Sequence, residues 1–176
     1  GIYDPASPNG RLLLGIKGQL SELELHILRS RLTAGLLNKA QRGELALTLP
    51  VGLVRDVHDG VHKDPHQDVQ QRIALIFSTF GRVNSASKVL QYFNDHQLLI
   101  PRRDRDGTII WKRPTVAAML STLKNPAYAG AFVYGRSQPL PQTTPSGRKR
   151  QQPLPMEQWK IVVKDTYPAY ISWETF

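Results

Sequence analysis

Apolar residues recur at a 3-4 spacing through the first quarter of the chain, where no proline falls between Gly10 and Arg42. Leu13, Ile16, Leu20, Leu23 and Ile27 follow the spacing without a break, and Ala34 and Leu37 resume it after Ser30. This heptad seam predicts one helix of roughly 30 residues, about 45–50 Å long. A second stripe of Leu12, Leu28, Leu32 and Leu36 widens the apolar surface. Gly15 and Gly18 each cost about 1 kcal/mol of helix propensity against alanine, which is tolerable where another helix packs closely. Such a helix cannot bury its stripe by itself. It needs a partner subunit, a domain outside this sequence, or the local core to lie against.

Past Gly43 the periodicity breaks into shorter elements. Strand-like runs 49–54 and 61–63 flank an Asp59-Gly60 turn, a hairpin signal. Asp64-Pro65-His66-Gln67 predicts a helix start with an acidic N-cap and proline at the first position. Val69, Ile73, Ile76, Phe77 and Phe80 form that helix's apolar face, and Gly81 is expected to end it. A second helix runs from about Ser85 to Asp95 with Ala86, Val89, Leu90 and Phe93 inward. Residues 108–111 read as a strand, and Pro114 opens a third helix expected to bury Val116, Leu120 and Leu123. Asn125-Pro126 stops it. Strands are expected at 129–135 and 158–163. The Pro-, Gln- and Ser-rich stretch 136–155 reads as a mobile basic loop, and 172–176 as the opening turn of a further helix. The predicted class is α+β and helix-rich: a long N-terminal helix, then a compact winged-helix-like domain with short strands. The connection from Asn94 to Pro114 is much longer than the turn of an ordinary helix-turn-helix.

Charge sharpens this picture. The 176 residues carry 23 Lys and Arg against 14 Asp and Glu, a formal net charge of +9 with a pI near 10.0. That excess favours a polyanionic partner, nucleic acid before an anionic membrane surface. No apolar run approaches the roughly 20 residues of a bilayer span, and residues 1–5 lack a signal-peptide pattern. With no cysteine, disulfides and cysteine-zinc sites are excluded, and a cytoplasmic protein fits. His58, His62 and His66 are spaced by four, but Asp59-Gly60 and Pro65 interrupt any helix that would align them on a metal. No phosphate-binding loop, dinucleotide fingerprint or nucleophile elbow is present, so no cofactor and no catalytic residue is assigned.

The cations are not evenly spread. Arg102, Arg103 and Arg105 precede the 108–111 strand, Lys112 and Arg113 lead into the third helix, Arg136 follows the next strand, and Arg148, Lys149 and Arg150 lie in the basic stretch. A helix N-terminus flanked by basic residues suits a phosphate. On this reading Thr115, Ala118, Met119 and Thr122 face the bases of double-stranded DNA.

Several stretches together resemble the large serine recombinases, the site-specific integrases of phages and mobile elements. They are Arg11 through Glu24, Ile27 through Arg31 and Asn38 through Gly43; Leu49 through Val54 with the helix after Asp64-Pro65; Leu123 through Gly130 with Val133 through Arg136; and Tyr170 through Glu174. The resemblance implies that 1–43 is the end of the catalytic domain with its long dimerisation helix, 44–135 the recombinase DNA-binding core, 136–155 a basic loop and 156–176 a strand and linker toward a zinc-ribbon domain. It implies a DNA attachment site as partner, self-association as dimer and tetramer, and a nucleoid location. Arg31, here between Ser30 and Leu32 where the family pattern has Glu and Thr, and Arg42 join the expected DNA-binding set. The family's nucleophilic serine is expected upstream of these residues, so the chain alone is expected to be inactive. From the residues alone, the alternative is a non-catalytic transcription regulator that dimerises through its long helix.

Overall fold

The structure is a computed structural model that describes residues 7–143, 147 and 149–176, with only the backbone described at 142 and 143. It is a mixed α+β chain of two compact units, Gly1–Leu45 and Ala46–Phe176.

The first unit is helix α1, Pro8–Gln41. Ser7 caps its N-terminus by accepting a hydrogen bond from the Gly10 amide at 3.0 Å, with Pro8 at the first position. Gly43, at φ 72°, ends it: its N–H donates to Ala40 and that of Glu44 to Lys39, both at 2.9 Å. This left-handed closure satisfies two of the last carbonyls and favours a residue without a Cβ. Both leucine-rich stripes are exposed, from Ile27 at 41 % to Leu12 at 62 %, except for the half-buried Leu37. A Cβ added at Gly15, Gly18 or Gly35 would meet nothing within 4 Å. The close neighbour expected at Gly15 and Gly18 is therefore absent among the described residues.

The second unit begins with a hairpin, β1 Leu53–Arg55 against β2 Val61–Lys63. Asp56 closes its turn, its carboxylate accepting from the His58 and Gly60 amides and from the His62 ring, each at 2.8 Å. Helix α2 runs Gln67–Val83, later at both ends than the sequence suggests. Asp64 does not cap it. Its buried carboxylate is used one turn earlier, accepting from the His66 amide and ring at 3.0 Å. Gly81 does not end α2 either, because Asn84 takes the left-handed conformation at φ 49°, which a short polar side chain tolerates.

Helix α3, Ala86–Asp95, follows as expected. Between it and α4, Val116–Leu123, stands a second hairpin, β3 Ile100–Arg103 with β4 Ile109–Lys112. Strand β3 escaped the sequence reading because Pro101-Arg102-Arg103 shows no apolar alternation. An isolated two-stranded hairpin admits its proline. Beyond a 3₁₀ turn at Pro126–Ala129, β5 Phe132–Tyr134 pairs with β8 Ile161–Val163. The segment expected to be a loop is a third hairpin, β6 Ser137–Thr143 with β7 Lys149–Pro153.

The core has two clusters that share α2. Ile76 joins Val89, Phe93, Ile100 and Met119, while Val69, Ile73 and Phe77 join Tyr128. Met119 is fully buried, and Val116 and Leu120 are 40 % and 38 % exposed. The sequence reading placed Met119 outward and Val116 and Leu120 inward, the opposite of what is found, while Leu123 is inward as expected. The helix packs on α3 and α2 through Met119 and Leu123, one turn apart.

The segment before β1 is held by side chains from far along the chain. Tyr128 Oη donates to the Val51 carbonyl at 2.8 Å, Tyr170 Oη to Gly52 at 2.7 Å, and Arg103 Nη2 to Leu53 at 2.8 Å. Burial pushes the Tyr128 phenol above its ordinary pKa, and that of Tyr170 up to about 12, with the charge of Asp64 adding to the latter. Both therefore stay neutral donors. Gly52 sits at φ 92°, where a Cβ would overlap Ile73 Cδ1 and lie 2.9 Å from the Tyr170 hydroxyl.

Two outcomes follow. In chemical denaturation, Tyr128→Phe is expected to lose about 1–3 kcal/mol by orphaning the Val51 carbonyl, and Gly52→Ala at least as much through backbone strain and overlap. In hydrogen exchange of the dilute chain, amides from Leu12 to Leu28 are expected to exchange much faster than those of α2. Strong protection of α1 that is independent of concentration would contradict an exposed helix.

Candidate nucleic-acid interface

An open groove of about 570 Å³ lies beside α4. One wall is the segment Thr48–Val51, held at its Val51 end by the Tyr128 hydroxyl. The other is α4 and its end, through Ala117, Ser121 and Asn125. Arg102 and Arg103 enter from β3, and among the described residues no carboxylate lines the groove. Hydroxyls, amides and guanidinium groups above an apolar floor of Ile73 and Ile76 offer hydrogen-bond donors without anionic repulsion. Such a surface is suited to a polyanion.

The N-terminus of α4 opens at this groove. Thr115 Oγ1 caps it by accepting from the Ala118 amide at 3.2 Å, and also receives Arg102 Nη2 at 3.3 Å. Thr115 is thus an organising residue that ties β3 to α4. The exposed face of α4 carries Val116, Ala117, Leu120 and Ser121, with Lys124 just beyond; of the Thr115, Ala118, Met119 and Thr122 face expected from the sequence, Thr115, Ala118 and Thr122 line the groove and Met119 is buried. Ala117 and Ser121 belong to both the exposed face and the groove wall.

The basic residues singled out in the sequence divide by what their side chains do. Arg103 is committed to the Leu53 carbonyl. Arg136 donates to the Lys124 carbonyl at the end of α4, at 2.9 Å, and stacks 5.4 Å from the Trp159 ring centre; burial lowers its pKa. Arg42 pairs with Glu44 at 2.8 Å, a hydrogen bond that raises its own pKa and lowers that of Glu44. Arg103 and Arg136 thus bridge parts of the fold, while the Arg42–Glu44 pair is a local, exposed contact. Arg105, Lys112, Arg113, Lys149 and Arg150 are exposed, with no side-chain hydrogen bond or ion pair among the described residues, and Arg31 is exposed on α1. Arg148 lies outside the described residues. Around the groove the structure brings together Arg102, Arg103 and Thr115. Lys112 and Arg113 flank them in sequence at the head of α4, whereas Lys149 and Arg150 lie on the separate β6–β7 hairpin.

Sequence reasoning missed the Thr48–Val51 wall, Ser121 and Asn125. One available signal pointed to this part of the chain. No Asp or Glu occurs between Asp106 and Glu157, an interval holding Lys112, Arg113, Lys124, Arg136, Arg148, Lys149 and Arg150. The histidines form no aligned set, since His62 pairs with Asp56 and His66 with Asp64. Among the described residues no helix is long and apolar enough to cross a membrane.

The chain is 41 % identical over 182 aligned positions to the uncharacterized protein y4bA/y4pH of Sinorhizobium fredii, an alignment that covers all of this chain and 26 % of that protein. The chain thus spans about a quarter of that relative's length. No solved structure matches it. The sequence pattern of the Recombinase family matches residues 67–176, which take in α2 through β8 and the whole α4 side of the groove. The chain belongs to the Recombinase family, the domain family of the large serine recombinases.

Proposed function

We propose that this chain is the duplex-DNA-binding segment of a site-specific serine recombinase, engaging an attachment site during integration or excision of a mobile element in the bacterial nucleoid. The observation that carries the reading is the acid-free groove beside α4, with Arg102 inside it and Lys112 and Arg113 at the helix's N-terminal end. A helix start, basic side chains and an open groove together suit a phosphate backbone that sets register while α4 faces base edges. The exposed lysine and arginine of β7 supply a second cationic element, suited to phosphates further along the duplex. The exposed stripes of α1 form an apolar surface longer than a monomer ordinarily leaves uncovered, and we propose that copies associate through it.

Binding is expected to weaken steeply with salt. Neutralising about 4–7 phosphates corresponds to a log–log slope of about −4 to −6, and a slope shallower than about −2 would argue against an organised duplex interface.

Substitutions should separate the roles. Arg113→Ala is expected to weaken binding to a selected duplex by about 1–3 kcal/mol and to random duplex by less. Replacing Lys149 and Arg150 together by alanine should weaken both about equally and flatten the slope. Arg136→Ala, by contrast, should appear chiefly as lost stability in thermal melts, because its guanidinium serves the end of α4. An unchanged specific-to-random ratio in the Arg113 variant would remove that residue from base reading.

A further inference from the structure

The outward face of α4 has an unusual chemistry for a helix next to a cationic groove. Reading bases by paired hydrogen bonds takes Arg, Lys, Asn or Gln at outward positions. From Val116 to Leu123 α4 has none of these. Its large outward side chains are aliphatic: Val116, 40 % exposed, and Leu120, 38 % exposed, stand one turn apart on the same side. Ala117 and Ser121 lie beside them, small enough to let another surface approach closely.

This apolar strip sits within positive charge. Lys112 and Arg113 precede it, Lys124 follows it, and Arg102 lies in the adjoining groove. A second copy of the same surface would set cations against cations, and no acidic residue occurs anywhere from 107 to 156 to relieve them. The frame therefore calls for an anionic partner, while the strip calls for an apolar feature within it. In the major groove of duplex DNA that feature is the C5-methyl of thymine, the one base-edge group that an aliphatic side chain recognises by contact.

We infer that the α4 helix itself, which carries no side chain for paired hydrogen bonds to bases, selects its DNA sites by apolar contact of Val116 and Leu120 with thymine methyl groups. The inference rests on the DNA-binding reading above and adds to it the chemistry of base choice. Arg102 and Lys112 then supply affinity and orientation, Arg113 ahead of the helix keeps the base contact proposed for it above, and the aliphatic pair adds discrimination at thymine positions. Ser121, which can donate or accept, is compatible with either base of a neighbouring pair.

The test compares thymine with uracil. Duplexes enriched by the intact chain from a random-sequence library are remade with deoxyuridine in place of thymidine, which removes the methyl and leaves every phosphate and hydrogen-bonding edge in place. Wild-type affinity is expected to fall about 3- to 10-fold for each contacted thymine, with the salt slope unchanged. Val116→Ala and Leu120→Ser, at exposed positions, are expected to bind the two forms nearly equally. Equal wild-type affinity for both forms, or enrichment of no sequence despite steep salt-dependent binding, overturns thymine reading and leaves the DNA-binding function standing. Variants that keep the wild-type thymine preference also overturn it. Failure to bind any duplex overturns the DNA-binding function and this inference together.

Discussion

Three consecutive carbonyls, those of Val51, Gly52 and Leu53, each receive a side-chain donor from a different part of the chain: Tyr128, Tyr170 and Arg103. A buried carbonyl left without a partner costs about 1–3 kcal/mol, so the clamp ties the entry segment, the β3–β4 hairpin and the C-terminal region into one unit. Tyr128 also packs edge-on against both Phe77 and Tyr170, with ring centres 5.5 and 5.7 Å apart. The second core cluster is thereby built around the same residue. Gly52 is part of the device, because only a residue without a Cβ fits between Ile73 and the Tyr170 hydroxyl. The groove depends on this arrangement, since the clamped segment is one of its walls.

The positive charge of the chain serves two purposes. Arg103 and Arg136 spend their donors on backbone carbonyls inside the protein, and Arg42 is neutralised by Glu44. A guanidinium with five planar donors suits such bridging, and an ammonium would do it less well. Arg105, Lys112, Arg113, Lys149 and Arg150 remain exposed around an acid-free stretch of sequence. Net charge alone draws no distinction between these groups, although the first is tied up in contacts within the protein and the second is exposed. The β3–β4 hairpin supports both uses: it carries Arg102 to Thr115 and Arg103 to Leu53.

Much of the architecture was legible in the residues. Period alone marked α1, α2 and α3, because each has apolar positions at helical spacing over two or more turns. The Asp59-Gly60 turn marked the first hairpin, and Asn125-Pro126 marked the end of α4. The misses share a cause. Strand β3 and the β6–β7 hairpin are polar and proline-containing, so their pairing rests on backbone hydrogen bonds that leave no hydrophobic pattern. The start of α2 was misplaced because Asp64 makes a local turn with His66 instead of capping the helix. Over the eight residues of α4, nearly all small or apolar, two faces fit helical spacing, and only the position of α3 decides that Met119 is the buried one.

What the sequence by itself determined is the set of elements with strong periodicity, the basic character of the chain and the ordered motifs of its family, all of which follow from residue type and local spacing. What the tertiary structure alone decided is which cations are structural, which face of α4 is outward, and that residues 48–51 stand across a groove from residues 117–125. The physical reason lies in sequence distance. The hydrogen bonds from Tyr128 to Val51 and from Tyr170 to Gly52 join residues 77 and 118 positions apart. No local propensity encodes a pairing across such a separation; it forms only when burial of the two clusters on α2 brings those residues within reach.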